Sequence, residues 1–147
     1  MAYVTEALIE AEFKDIDFNA SSAVTTSDIT EFITQEEALL NAQVGTVYSV
    51  PIASASSPIS FNICRLASTL MVKARILDIL YVKSNTEADQ ENTGDAIRLV
   101  AQGMIDKILS KTLLLYDATL AVGSGGVSSY ASENSYAGKF TMDDDQW

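Results

Sequence analysis

Few side chains in this chain are of a type that does chemistry at neutral pH, and their spacing narrows the choice further. There is no histidine, which removes the commonest general base, the usual triad partner and the favoured zinc ligand together. The one cysteine, Cys64, has no second thiol to pair with and no imidazole to activate it, so it reads as a small buried hydrophobe. Glu36 and Glu37 are a catalytic pair by type alone. Neighbours on a helix diverge and cannot grip one substrate, so these two read as a charged face. Gly123-Ser124-Gly125-Gly126 has the glycines of a phosphate-cradling loop but not the Lys-Ser or Lys-Thr that should follow. Asp143-Asp144-Asp145 lacks the alternating ligands and turn of a calcium loop and reads as a solvated acidic run. The expectation is a protein that is not an enzyme, with no catalytic residue, no metal ligand set and no cofactor.

The bulk properties bound what remains. At 147 residues and 48% apolar, the chain has material for one core but not for two independent ones. Twenty acids against nine bases give a net charge of -11, which disfavours nonspecific binding to nucleic acid or anionic membrane. The charge is uneven. Residues 1–58 carry nine acids against Lys14 alone, whereas seven of the nine bases fall between Arg65 and Lys111. Met1 to Phe13 holds acids and no long apolar run, unlike a secretory signal, so the expected site of synthesis is the cytoplasm. The greasiest stretch, Ile59 to Val82, is broken by Arg65, Lys73, Arg75 and Asp78 and reads as a helix that does not span a membrane. The sequon Asn19-Ala20-Ser21 matters only on a glycosylating secretory route.

The elements that would position these residues read as all-α: a small bundle of about four helices with a long central helix pair. A short first helix spans about residues 5 to 13, capped by Thr5. A polar connection, Lys14 to Ser27, is pinned by Ile16 and Phe18. A second helix starts at Asp28 with Glu31 as a capping-box partner, carries Ile29, Phe32, Ile33, Leu40 and Val44 inward, and stops at Gly45. Val47 to Pro51 is extended. The third helix starts at Pro58 and buries Ile59, Ile63, Leu66, Leu70, Ala74, Leu77 and Tyr81, with Arg65, Ser68 and Arg75 on another face. Ser84 to Gly94 reads as an exposed loop. The fourth helix runs from Asp95 to near Asp117, with Ile97, Val100, Ala101, Met104, Ile108 and Leu115 on one side and Arg98, Gln102 and Asp106 on the other.

This divides the chain into a helical domain, residues 1–119, and an extended Gly/Ser-rich C-terminal arm, residues 120–147. The arm's glycines cost entropy that its few apolar groups do not offset, so it is expected to be flexible when free. Its spaced anchors Tyr130, Tyr136, Phe140, Met142 and Trp147 are of the kind a segment uses when it orders on a partner.

Taken in order, these features resemble those of the adaptor, or head-tail connector, proteins of tailed-bacteriophage necks, which also occur as head-completion proteins in prophages. Tyr3-Val4-Thr5-Glu6 with Leu8-Ile9 and Phe13 resembles the family's short first helix. Ile29, Phe32, Ile33, Glu36, Glu37 and Leu40 resemble its second. The step Val47-Tyr48-Ser49-Val50-Pro51-Ile52 follows, and Pro58 leads into a long helix bearing Ile63-Cys64-Arg65-Leu66-Ala67. The resemblance implies a virion structural subunit that forms a self-assembled ring of about twelve copies under the portal protein and above the head-closure (stopper) or tail-terminator protein. It implies double-stranded DNA passing through the ring without sequence-specific binding, and no membrane. About 130 negative charges around such a channel would keep a sliding duplex from sticking, with Glu36, Glu37 or Asp106 as the channel-facing acids. The arm would dock on the portal or a neighbour. A second reading of the same residues is a small acidic helical module that binds or regulates another protein.

Overall fold

Four helices follow one another in the computed structural model, which describes residues 2–82 and 93–122: α1 (Glu6–Glu12), α2 (Thr26–Val44), α3 (Pro58–Val82) and α4 (Thr93–Leu109). The fold is all-α, and among the described residues the only β-type pairing is an isolated bridge between Tyr48 and Leu120. The central pair is α3 with α4, which share the most extensive packing although α4 is shorter than α2, and α2 lies against both.

Local signals set the helix starts. Thr5 occupies the N-cap position of α1, without a side-chain cap bond. The capping box of α2 sits three residues earlier than the Asp28–Glu31 reading. Thr25 is the cap, its hydroxyl accepts from the Asp28 amide, and the Asp28 carboxylate reaches back to the Thr25 amide at 2.8 Å. The bonds that this carboxylate accepts from the Thr25 amide and the Thr25 hydroxyl hold the Asp28 carboxyl below the usual carboxylate range. Gly45 caps the end of α2, and Pro58 opens α3 as expected. The fourth helix is shorter than its sequence pattern: it stops at Leu109, and Lys111 takes a positive φ of 58°. Leu115 is nevertheless fully buried, outside any helix, with its amide donating to the Tyr48 hydroxyl at 3.2 Å.

The buried face of α3 follows the one its apolar spacing marks only in part: Ala74 is buried and Ile63, Leu70 and Leu77 pack partly against the core, as expected. Ser60, Cys64, Ala67, Ser68, Met71, Val72 and Ile76 are buried, whereas Ile59 and Leu66 are about half exposed. The reason is position: α3 packs on α2 and α4 together, so its covered arc is wide, and small side chains let the neighbouring helices approach. Ser68, read as outward, lies wholly inside. On α4 the core face holds Ala101, Ile105 and Ile108, while Val100, expected inside, is turned out.

The helix hairpin closes tightly at one end. A Cβ on Gly94 would fall 1.8 Å from Asp78 Oδ1 and 2.8 Å from the Ala74 carbonyl oxygen, so only glycine fits where α4 starts against α3. The segment after α4 returns to the bundle. Ser49 donates to the Thr119 carbonyl at 2.7 Å and Ala121 to the Val47 carbonyl at 3.0 Å, so the attachment runs past the expected boundary at residue 119.

Candidate functional site

The three acids read as channel-facing have three different fates. Glu37 is 8% exposed, and its Oε1 accepts the backbone amides of Tyr3 at 2.6 Å and Val4 at 2.8 Å. It is a buried clamp on the N-terminal segment, and the charged-face reading is corrected for it. Glu36, one position earlier, points elsewhere, to the Arg75 guanidinium at 3.3 Å, and Arg75 in turn stacks over the Phe32 ring at 4.3 Å. Asp106 alone of the three is exposed, and it accepts from Gln102. Tyr130, Tyr136, Phe140, Met142 and Trp147 lie outside the described residues, as do Gly123 to Gly126 and Asp143 to Asp145.

Two polar clusters tie separate segments together around the start of α3. Tyr3 donates its hydroxyl to Asn41 Oδ1 at 2.8 Å and accepts the Ile52 amide at 2.9 Å, which ties the N-terminal segment to α2 and to the turn before α3. Burial pushes the Tyr3 phenol up from its ordinary value. At the same end, where Tyr3 also packs against Phe61 with ring centroids 5.5 Å apart, Asp117 caps α3 from a distance in sequence. Its carboxylate accepts the amides of Ile59 at 2.9 Å and Ser60 at 3.0 Å together with the Ser60 hydroxyl, and its own carbonyl accepts from Ser57. Desolvation works against the charge, but the bonds from Ser60 and Ile59 prevail and hold the Asp117 carboxyl below its usual range. Sequence reading placed Asp117 at a helix end and missed this role, because the capped amides lie 57 and 58 residues away.

The chemistry available is limited. Cys64 is fully buried, and burial pushes its thiol up to about 12, so it is a packed hydrophobe and not a nucleophile. Among the described residues no group of three or more His, Cys, Asp or Glu is placed to hold a metal ion, and no helix is long and apolar enough to cross a membrane. A depression of about 470 Å³ between α1 and the following turn is lined by Glu10, Phe13, Lys14, Asp17 and Phe18 and opens to solvent.

What the described residues do display is exposed apolar surface. On α4, Leu99 is 74% and Val100 59% exposed, and beside them a Cβ on Gly103 would meet nothing within 4 Å. A glycine inside a helix costs about 0.5–1 kcal/mol relative to alanine, and nothing among the described residues requires this one. On α2, Leu39 is 47% exposed between the exposed Ala38 and Ala42. Sequence periodicity overlooked both faces, although each leaves a signal: an apolar residue among polar ones on the side opposite the core stripe. Compared with family models, curated proteins and solved structures, the chain matches none of them.

Proposed function

We propose that this chain is a structural subunit of a tailed-phage neck, one copy in a ring between the portal and the head-closure or tail proteins, with DNA passing through the bore. The observation that carries the reading is the pair of outward apolar faces on α2 and α4. A subunit that closes a ring must offer its neighbours two different surfaces, and this fold has them on two different helices. The helix order supports it as well: a short α1, then α2, a proline-bearing turn and a long α3 opened by Pro58 follow the succession that the resemblance rests on. Asp106 remains an exposed acid that can face the bore, and a net charge of -11 per copy keeps the bore repulsive to a duplex. Tyr130, Tyr136, Phe140, Met142 and Trp147 are the anchors we assign to portal or neighbour docking, and the assembled protein resides in the virion.

Native mass spectrometry of the full chain, alone and mixed with the portal protein of the same genome, tests this. The expected result is a ring, or a portal-bound stoichiometry of about twelve. A persistent monomer or dimer that ignores the portal overturns the proposal and favours the acidic binding module.

A further inference from the structure

We propose that neighbouring copies meet head to tail, the outer face of α4 on one copy packing antiparallel against the outer face of α2 on the next; this rests on the ring reading above and names the surfaces that build it. Ala96, Val100, Gly103 and Lys107 step by four, three and four along α4, and Glu31, Gln35, Ala38 and Ala42 step by the same intervals along α2. That spacing lines each set along one side of its helix, opposite the buried residues. The two seams have equal length. Set antiparallel, they bring Lys107 opposite Glu31, Gly103 opposite Gln35, Val100 opposite Ala38 and Ala96 opposite Ala42, with Leu39 and Leu99 along the flanks.

Charge selects this occupant over the others. Both Glu31 and Lys107 are exposed, and among the described residues neither has an oppositely charged group within ion-pair distance. The antiparallel α4–α2 register pairs them at one end of the contact, and a parallel register leaves both alone. Packing α4 on α4 opposes each Lys107 with an alanine and closes a dimer, so no ring can grow from it. Gly103 then has a purpose, because a residue without a side chain at the centre of a helix contact lets the backbones approach. Asp106, next to Lys107 and so about 100° round the helix, stays outside the seam and remains available to the bore.

Two experiments on the full-length chain test the surfaces. In the first, the single-cysteine variants Ala38→Cys and Val100→Cys are mixed under mild oxidation. Cross-linked dimer is expected from the mixture and not from either variant alone, and the buried Cys64 stays silent. In the second, Leu39→Asp and Val100→Asp are each expected to weaken self-association by about tenfold or more, since Val100→Asp puts a charge into the centre of the contact and Leu39→Asp puts one on its apolar flank. Both substitutions fall on exposed residues, so circular dichroism of each variant is expected to match the wild type. Mixing these two variants should yield a heterodimer that goes no further, because each retains the one face the other lacks. Cross-linking by Val100→Cys alone, or a monomer whose Val100→Cys thiol resists alkylation because its own chain covers it, overturns the proposal. Rings on the portal that tolerate both Asp substitutions overturn this pairing and leave the neck role standing. A wild-type chain that neither self-associates nor binds portal overturns both.

Discussion

Replacing Glu37 separates a structural carboxylate from a surface one. Its Oε1 accepts two buried amides, at 2.6 Å from Tyr3 and 2.8 Å from Val4. In Glu37→Ala both donors lose their acceptor. Leaving a buried amide unsatisfied costs about 1–3 kcal/mol, and the chain limits the loss by letting the N-terminal segment lift and take up water. Lifting has its own cost, because Tyr3 and Val4 are both buried and Tyr3 also bonds Asn41 and the Ile52 amide. The expected loss is therefore about 2–4 kcal/mol, or about 8–16 °C in Tm for a domain of this size. Glu37→Gln keeps a neutral acceptor in place and should cost about half as much, because a bond to a charged acceptor is about twice as strong as a neutral one. The neighbouring Glu36→Ala loses a single ion pair to a one-third exposed Arg75 and is the control, at about 1 kcal/mol or less. Urea unfolding followed by circular dichroism at pH 7 gives the energies, and hydrogen exchange at the Tyr3 and Val4 amides shows where the structure opened. If Glu37→Ala is no worse than Glu36→Ala, or if the Tyr3 and Val4 amides exchange as slowly as in the wild type, the clamp reasoning is wrong.

Two further outcomes follow from the geometry. The Asp117 carboxyl is held below its usual value, so the stability it contributes is complete above the ordinary carboxylate range and is lost as pH falls through the lower folded value. Asp117→Asn should therefore be less stable at neutral pH and lose less on acidification, and parallel wild-type and variant melts between about pH 6 and pH 3 that keep a constant gap would contradict this. The two described helical glycines should respond in opposite directions: Gly94→Ala drives a Cβ into Asp78 and the Ala74 carbonyl and should destabilise by about 1–3 kcal/mol. Gly103→Ala meets open space and should stabilise the monomer by about 0.5–1 kcal/mol, and thermal melts of the two variants shifting the same way would refute the packing argument.

Much of the helical scaffold was legible in the sequence because its signals are local. Pro58 opens α3 and Gly45 closes α2, each acting within a turn of helix whatever the rest of the chain does, whereas the capping box was read one step late, as Asp28–Glu31 in place of Thr25–Asp28, because either spacing satisfies the pattern. The inert burial of Cys64 was legible too, since nothing in the composition could activate it. Tertiary structure decided everything that depends on distance along the chain. Glu37 and Glu36 are adjacent and chemically identical, and only the arrival of Tyr3, 34 positions before Glu37, and of Arg75, 39 positions after Glu36, gives one a buried clamp and the other an ion pair. The fourth helix stops early because the following segment returns to cap α3 through Asp117 and to pair with Tyr48, contacts that no periodic pattern encodes. The spacing in α3 marked part of the covered side but did not choose the full arc. That choice belongs to the helices on both flanks, and the apolar residues left over, Leu39 on α2 with Leu99 and Val100 on α4, mark the faces this fold holds out to a partner.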